Sequence, residues 1–295
     1  MFRNLRLKRE APPAAPSPEE ISIQQLIGDS THPISLRALN NLPDNAKQRI
    51  YRTLIPPELL TRFNINPLSW KQPEGDERVK LIAAADSGEV HISVRDAADS
   101  GDPFFCIELA ENAMRGIDLN LLLLNDPSSP RFATDVDAQG HDTHFGTTGR
   151  NVAEEEKAMR AGLAPGQFRS SLSASKLAMQ QIDTFMAFLA HHTIFLEPLT
   201  YASAWVFERR GFAYVRGHKL MDTIHAEFRE GGRLRNALDG STPFRQPDQW
   251  RTIRGRAWAI QDGILETIEA QWNALRMVKQ VGRHAGVNTT PDTPY

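Results

Sequence analysis

The sequence predicts an α/β fold, of the α+β type, in which helices flank a mixed central sheet. Two observations support it: apolar and polar residues alternate within residues 79–124, and helical and strand patterns alternate after residue 150. Helices that alternate with short strands are typical of domains whose helices cover a sheet. We expect a disordered arm, a helical N-terminal segment, an α/β domain, and a C-terminal helix with a tail, at residues 1–20, 21–75, 76–250 and 251–295.

The N-terminal quarter is expected to contain the arm and short helices. Residues 7–20 combine charged side chains with Ala-Pro repeats, a composition that buries little apolar surface. Asp44 is in position to cap a helix that extends through Tyr51 and Leu54. Pro56-Pro57 ends that helix and begins another turn.

Four strands are expected between residues 79 and 124. Residues 79–84 and 90–94 flank an Asp-Ser-Gly turn, and the second of these runs alternates apolar and polar side chains, as in a hairpin. Apolar runs follow at residues 104–109 and 117–124. The last run contains four consecutive leucines, which favours a strand covered on both faces.

After a turn-rich segment at residues 125–151, helices and strands alternate. Helices are expected at 153–162, 173–189 and 200–210, and strands at 193–196 and 212–215. A long C-terminal helix is expected from about Arg256, because apolar residues recur there at helical spacing. These residues are Ile260, Ile264, Ile268, Trp272 and Leu275. Residues after Gly282 are expected to fray.

Composition limits the class of protein. The formal net charge is -2, so no overall positive field would recruit nucleic acid, and we expect no nucleic-acid partner. The single cysteine, Cys106, excludes an internal disulfide and fits a reducing compartment. No apolar run reaches the roughly 18 residues that a membrane span needs. The sequence therefore predicts a soluble, cytoplasmic protein without a membrane partner.

Residues 163–214 contain a turn, an amphipathic helix, a strand, a short helix and a Gly-Phe strand, in that order. The turn reads Ala164-Pro165-Gly166-Gln167-Phe168-Arg169-Ser170-Ser171-Leu172, and the short helix ends in Phe207-Glu208-Arg209-Arg210-Gly211-Phe212. This arrangement resembles the core of the GNAT superfamily of acyltransferases. The resemblance covers roughly a third of the chain.

The resemblance implies a site for acetyl-coenzyme A or another acyl-coenzyme A. Family members receive the pyrophosphate on a Gln/Arg-x-x-Gly-x-Gly/Ala turn, where amides at a helix N-terminus attract an anion. The matching residues are Gly166, Gln167, Phe168, Arg169, Ser170 and Ser171. Ser170 and Leu172 depart from the pattern, which has a glycine and a small residue at those positions. The resemblance also implies a pair of parallel strands that splay apart beside this turn.

The catalytic residues that the resemblance implies are less complete. Phe207 replaces the tyrosine that protonates the leaving thiolate in many members, so that role is vacant or filled elsewhere. Tyr201 and Tyr214 lie nearby but not at the matching position. Glu197 follows a predicted strand where such enzymes often place a general base; an ordinary strand-end carboxylate is the competing interpretation.

A loop rich in histidine offers a separate hypothesis. Residues 140–144 read Gly-His-Asp-Thr-His, close to Asp135 and Asp137, and such groups can bind a divalent transition metal. His144 is also a candidate general base if the loop lines an active-site mouth. A plain polar loop is the competing interpretation.

Two classes of function therefore lead. The first is an acyltransferase-like protein that binds acyl-coenzyme A and transfers the acyl group to an amine or similar nucleophile. The second is a non-catalytic GNAT-like binding or assembly module. A metal-dependent enzyme that uses His141 and His144 is a third. The acceptor and any homo-oligomer are left open by the sequence.

Overall fold

The computed structural model describes residues 33–143, 148–273 and 275–295. In this part of the chain a seven-stranded mixed sheet is flanked by helices, which confirms the predicted mixed α/β class. The strands are β1 Val79–Ile82, β2 Glu89–Val94, β3 Phe105–Glu111, β4 Ile117–Leu124, β5 Thr193–Leu196, β6 Ala213–Arg216 and β7 Arg276–Gln280. The α-helices are α1 Leu36–Asn40, α2 Asp44–Tyr51, α3 Pro57–Arg62, α4 Val152–Arg160, α5 Ser175–Phe188, α6 Tyr201–Glu208, α7 His218–Glu227, α8 Arg233–Asn236 and α9 Ile253–Gln261.

The strand order in the sheet is β1-β2-β3-β4-β5-β7-β6. Strands β1 to β4 form an antiparallel meander, in which Val79 pairs with Val94 as expected for the predicted hairpin. Strand β5 lies parallel to β4, and β7 lies antiparallel between β5 and β6. The sheet therefore changes from antiparallel to parallel pairing at the β4–β5 contact.

The two faces of the sheet differ in burial. Ile92, Ile107 and Ile194 point to what we term the inner face, where they are fully buried in the main hydrophobic core with residues of α2 and α5. The alternate residues point to the outer face; there His91 and Glu108, for example, are half-buried. The outer face therefore carries polar side chains that solvent can reach.

A small second core joins the 125–174 segment to the C-terminal part of the chain. Ala158, Leu163, Phe244 and Trp258 form it, and the Trp258 indole donates to the Leu163 carbonyl at 2.8 Å. The segment before α5 is thereby held in place from both ends, since its other end follows β4 directly.

The predicted long C-terminal helix is wrong. Helix α9 ends at Gln261, Gly263 follows with φ of +83°, and a 3-10 turn covers residues 264–268. Ile264 and Ile268 are buried, as their spacing predicted, but residues 276–280 form β7 in the interior of the sheet. The strand pattern is hidden because Lys279 occupies an inner-face position, where Asp183 of α5 accepts from its ammonium group at 2.6 Å.

The prediction that residues after Gly282 fray is also wrong. Thr289, Thr290 and Thr293 are buried, and the Thr289 hydroxyl donates to the buried carboxylate of Glu208 at 2.7 Å. The Ile253 amide donates to the Pro294 carbonyl at 2.8 Å. The tail therefore packs across α6 and α9, where the Thr289 amide and hydroxyl join the Tyr214 hydroxyl as donors to the buried Glu208 carboxylate.

Two smaller expectations differ as well. Asp44 is the first residue of α2 rather than its cap; Pro43 precedes it, and the Asp44 carboxylate pairs with Lys47 at 2.9 Å. The leucines at 121–124 are half-exposed instead of covered on both faces, and β4 no longer pairs with β5 at this point. The predicted arm at residues 1–20 lies outside the described residues.

None of the helices in the described part of the chain combines the length and the apolar composition that crossing a bilayer requires.

Candidate functional site

Strands β4 and β5 remain paired over a short distance only. Ile117 pairs with Ile194 and Asp118 with Phe195, and the ladder then ends. Six residues further along β4, the Leu124 carbonyl accepts from the Leu172 amide at 3.2 Å, on the edge of β4 that faces away from β3. An interval of β4 between Asp118 and Leu124 thus faces neither β5 nor residue 172. We term this interval, with the adjoining end of β5, the β4–β5 gap.

A cluster of three charged side chains lies where the gap begins. The Arg276 guanidinium on β7 donates to both carboxylate oxygens of Asp118, at 2.8 and 2.9 Å, and to Glu197 at 3.1 Å. These hydrogen bonds raise the pKa of Arg276, with Asp118 as the main cause. We term Asp118, Glu197 and Arg276 the carboxylate–arginine cluster. Its geometry fixes a carboxylate on each side of one permanent cation.

The predicted phosphate-binding residues lie in the loop between α4 and α5, not within a helix. Gln167 Oε1 accepts from the Ala164 amide at 2.8 Å, and the Gly166 φ of +79° forms the turn between them. The Ser170 amide donates to Ser129 Oγ at 3.1 Å, whereas the Phe168 side chain is buried. These groups are used in holding the loop in its conformation.

Arg169 and Ser171 secure the same loop to the end of β4. The Arg169 guanidinium donates to Asp102 at 3.0 Å and to the Ser129 carbonyl at 2.6 Å. Ser171 is exposed and forms an isolated bridge with Asn125, the residue after β4. Because Arg169 already has a carboxylate partner, its charge is compensated within the protein.

Positive charge lies instead at the start of α5. The Arg210 guanidinium donates to Ser175 Oγ through Nε and Nη2, at 3.1 and 2.8 Å, and Lys176 is exposed next to it. Ala174, at the N-cap, provides no side-chain cap to the first amides of this 14-residue helix. An uncapped N-terminus beside a guanidinium and an ammonium group attracts anions through its amides and its dipole.

The aromatic residues near α6 do not present a free phenol. Tyr201 is 1% exposed, and its burial raises the pKa of its hydroxyl to about 12. Tyr214 donates its hydroxyl to Glu208 at 2.8 Å, and burial raises its pKa as well. Phe207 is half-buried, with its ring edge against Phe212 at a centroid distance of 5.3 Å.

The other candidate bases lie apart from these aromatics. Glu197 is in the carboxylate–arginine cluster, with 60% of its side chain exposed. His144 lies outside the described residues. His141 Nδ1 lies 3.1 Å from Asp137 Oδ2, and hydrogen bonds from the His141 backbone lower the pKa of Asp137. Asp135 accepts from Arg131 at 2.6 Å, so it is committed to an ion pair rather than to His141.

Sequence reasoning missed three charged residues of this region. Asp118 lies inside a strand, where a single carboxylate gives no functional signal. Arg276 was assigned to a helix, so its position beside Glu197 could not be expected. Arg210 precedes the Gly-Phe motif, and the sequence gives no signal that it lies near α5. Its contact with Ser175 depends on how α5 and α6 pack together.

Comparison of the chain with protein-family models, with curated proteins and with solved structures finds no match. Its function must therefore be inferred from the residues and the geometry described above.

Proposed function

We propose that the protein binds an acyl-coenzyme A in the β4–β5 gap and transfers the acyl group to an amine or similar nucleophile, in the manner of a GNAT-type enzyme. The observation that supports this most directly is the parallel β4–β5 pair, which separates after two residue pairs. A splayed parallel pair beside a turn and a helix N-terminus is the arrangement that the motif resemblance implies.

The two ends of coenzyme A have complementary partners around the gap. Its pantetheine arm carries amide groups, and the edge of β4 between Asp118 and Leu124 supplies backbone groups of the kind that pair with amides. Its pyrophosphate is an anion, for which the N-terminus of α5 with Arg210 and Lys176 is a suitable partner. In this proposal the anion site is a few residues C-terminal to the motif positions 166–171.

The proposed chemistry requires positioning and one base. Glu197 accepts the proton of the attacking amine, and Arg276 orients this carboxylate through a hydrogen bond. Coenzyme A leaves as a thiolate, and free thiols titrate near pH 8.5, so a general acid assists the reaction without being essential. Phe207 supplies no such acid, and we therefore expect slow turnover.

Binding is tested by thermal denaturation with and without free coenzyme A, since a ligand of the folded state raises the melting temperature. We expect a clear increase in wild type and a smaller one in Arg210→Ala, which removes a charge-assisted contact of about 1.5–3 kcal/mol. Arg160→Ala, which removes an equal charge from an exposed position on α4, should behave as wild type. ATP is the control ligand, because it is an anion without a pantetheine arm, and it should raise the melting temperature less than coenzyme A does.

A second candidate function, binding without catalysis, is favoured by the aromatic residues. Phe207 cannot donate a proton, and Tyr201 is buried. Release of free thiol from acetyl-coenzyme A with a mixture of amines separates the two candidates. Thiol release that is lost in Glu197→Gln supports transfer; stabilisation by coenzyme A without thiol release supports a binding module. Equal stabilisation by ATP and coenzyme A, or none by either, would contradict both.

A further inference from the structure

Three side chains with metal-binding chemistry meet on the outer face of the sheet. His91 lies on β2, and Cys106 and Glu108 lie on β3, where His91 is the direct cross-strand partner of Glu108. Residues two apart on a strand share a face, so Cys106 is the diagonal neighbour of His91. In the described ranges, this is the one group of three or more such side chains whose ligand atoms lie within 4.8 Å of one another.

We propose that His91, Cys106 and Glu108 bind one divalent transition metal ion of the Zn²⁺ type through imidazole, thiolate and carboxylate. The Cys106 sulfur lies 3.8 Å from Nε2 and 4.0 Å from Nδ1 of His91. Metal–ligand bonds of about 2.0–2.3 Å in a tetrahedron separate sulfur and nitrogen by about 3.5 Å. Shifts of a few tenths of an ångström therefore bring sulfur and imidazole to coordination distance.

The third ligand is close enough to complete the set. Glu108 Oε1 lies 2.8 Å from His91 Nδ1, against about 3.3 Å between two ligand atoms of a tetrahedral ion. About a third of the His91 side chain and 40% of the Glu108 side chain are exposed, whereas the thiol is buried beneath them. An ion can thus reach the imidazole and the carboxylate from solvent, and three protein ligands leave a fourth position open to water.

The ligand types favour zinc or cobalt over magnesium or calcium. A thiolate and an imidazole are softer donors than the oxygens that Mg²⁺ and Ca²⁺ require. The adjacent strands hold the donors rigidly, because β2 and β3 are paired along six consecutive residues. The proposal is independent of acyl transfer, since none of the three residues belongs to the β4–β5 gap.

The charge state of the thiol supplies a measurable consequence. Burial and the nearby Glu108 raise the pKa of Cys106 to about 12, and Arg95 opposes them. The metal-free thiol is therefore protonated at neutral pH, and coordination must release its proton. The test follows one equivalent of Co²⁺, a coloured substitute for Zn²⁺, by absorption, together with proton release in weak buffer.

We expect a near-ultraviolet thiolate-to-cobalt band, which reports this site alone because Cys106 is the single cysteine of the chain. The band should vanish in Cys106→Ser, and Co²⁺ affinity should fall about tenfold or more in His91→Gln and in Glu108→Gln. Cys106→Ser alters a buried side chain and could fail to fold. Glu108→Gln leaves the buried core intact, so it tests the site even in that case.

The matched control is His218→Gln, which removes an exposed histidine with a carboxylate partner, Asp222, and lies outside both candidate metal sites. It should bind Co²⁺ as wild type does. Absence of the band in folded wild-type protein at millimolar Co²⁺ would overturn the proposal. A band that is unchanged in His91→Gln and Glu108→Gln would overturn it as well, because the thiol would then act alone.

Discussion

Two polar clusters lie on the outer face of the sheet, and they balance their acidic groups in different ways. In the carboxylate–arginine cluster, Arg276 provides a permanent cation to Asp118 and Glu197. In the metal-ligand cluster, Glu108 bonds to the imidazole of His91, beside a thiol that keeps its proton. Both carboxylates of the first cluster already share a cation, whereas the second cluster can exchange protons for a metal ion. The clusters also differ in position: the carboxylate–arginine cluster lies where the β4–β5 ladder ends, whereas His91, Cys106 and Glu108 lie within the six residue pairs of β2 and β3.

The largest expected effect concerns the proton on Cys106. At pH 8, in metal-free protein, iodoacetamide should modify Cys106 about a thousandfold more slowly than an unfolded-chain thiol, whose pKa is near 8.5. The rate should continue to rise with pH toward the folded-state pKa of about 12. Mass spectrometry of quenched samples measures it, with urea-unfolded protein as the control. A rate profile with its midpoint near pH 8.5 would contradict a buried, proton-bearing thiol.

The same raised pKa affects stability in a known direction. The folded state favours the protonated thiol, so the contribution of Cys106 is fully present below about pH 8.5. It is lost as the pH rises toward about 12, because the unfolded chain deprotonates first.

The second-largest effect is expected when the carboxylate–arginine cluster is broken by substitution. Arg276→Met leaves Asp118 and Glu197 without their cation, and we expect a loss of about 2 kcal/mol in the free energy of unfolding. This value lies between those of buried and exposed pairs, because about a fifth of the Arg276 and Asp118 side chains is exposed. Urea denaturation measures the loss. Asp118→Asn added to Arg276→Met should restore part of it; no recovery would show that the two charges are not coupled.

A smaller effect separates the two carboxylates of that cluster. Glu197→Gln should lower the free energy of unfolding by about 0.5 kcal/mol or less, since 60% of its side chain is exposed. If Glu197 is the base, the same variant should lower acyl-transfer kcat by about a hundredfold or more. Denaturation and thiol-release assays on one preparation give both numbers. If the fall in kcat is no larger than the loss of folded protein accounts for, Glu197 has a structural role only.

The smallest effect is expected at the position that lacks a proton donor. Phe207→Tyr should change the free energy of unfolding by about 0.5 kcal/mol or less, because Phe207 is half-buried and we expect its new hydroxyl to reach solvent. Thermal denaturation checks this. A loss of about 1–3 kcal/mol would mean that the hydroxyl is enclosed without a partner and that α6 is structural here.

Much of the fold could be predicted because its elements follow local periodicity. The alternation at Val90 and Ile92 identified β2, and the spacing of Ile182 and Phe185 identified α5. Strand β7 could not be predicted in this way. Lys279 interrupts its apolar side, and only Asp183, nearly a hundred residues away in sequence, explains that buried lysine.

The candidate sites were less predictable than the elements that carry them. The motif led to the loop before α5, yet Gln167 and Arg169 serve that loop itself, and Arg210 approaches the helix from another element. Cys106 lies in the apolar run Phe104 to Ile107, which is typical of a thiol that only packs in the core. Whether His91 and Glu108 lie beside Cys106 depends on the register of β2 against β3. The alternation of apolar and polar residues does not by itself fix that register.

The sequence by itself determined the α/β class, the first six strands, the main helices and the presence of a single cysteine, because backbone periodicity and composition are local properties. The tertiary structure alone decided that β7 lies between β5 and β6, that the tail covers Glu208, and that three metal-binding side chains meet on one face. The physical reason is that burial and hydrogen bonding act between segments distant in the chain. A lysine or carboxylate becomes an interior residue only when folding brings its partner to it.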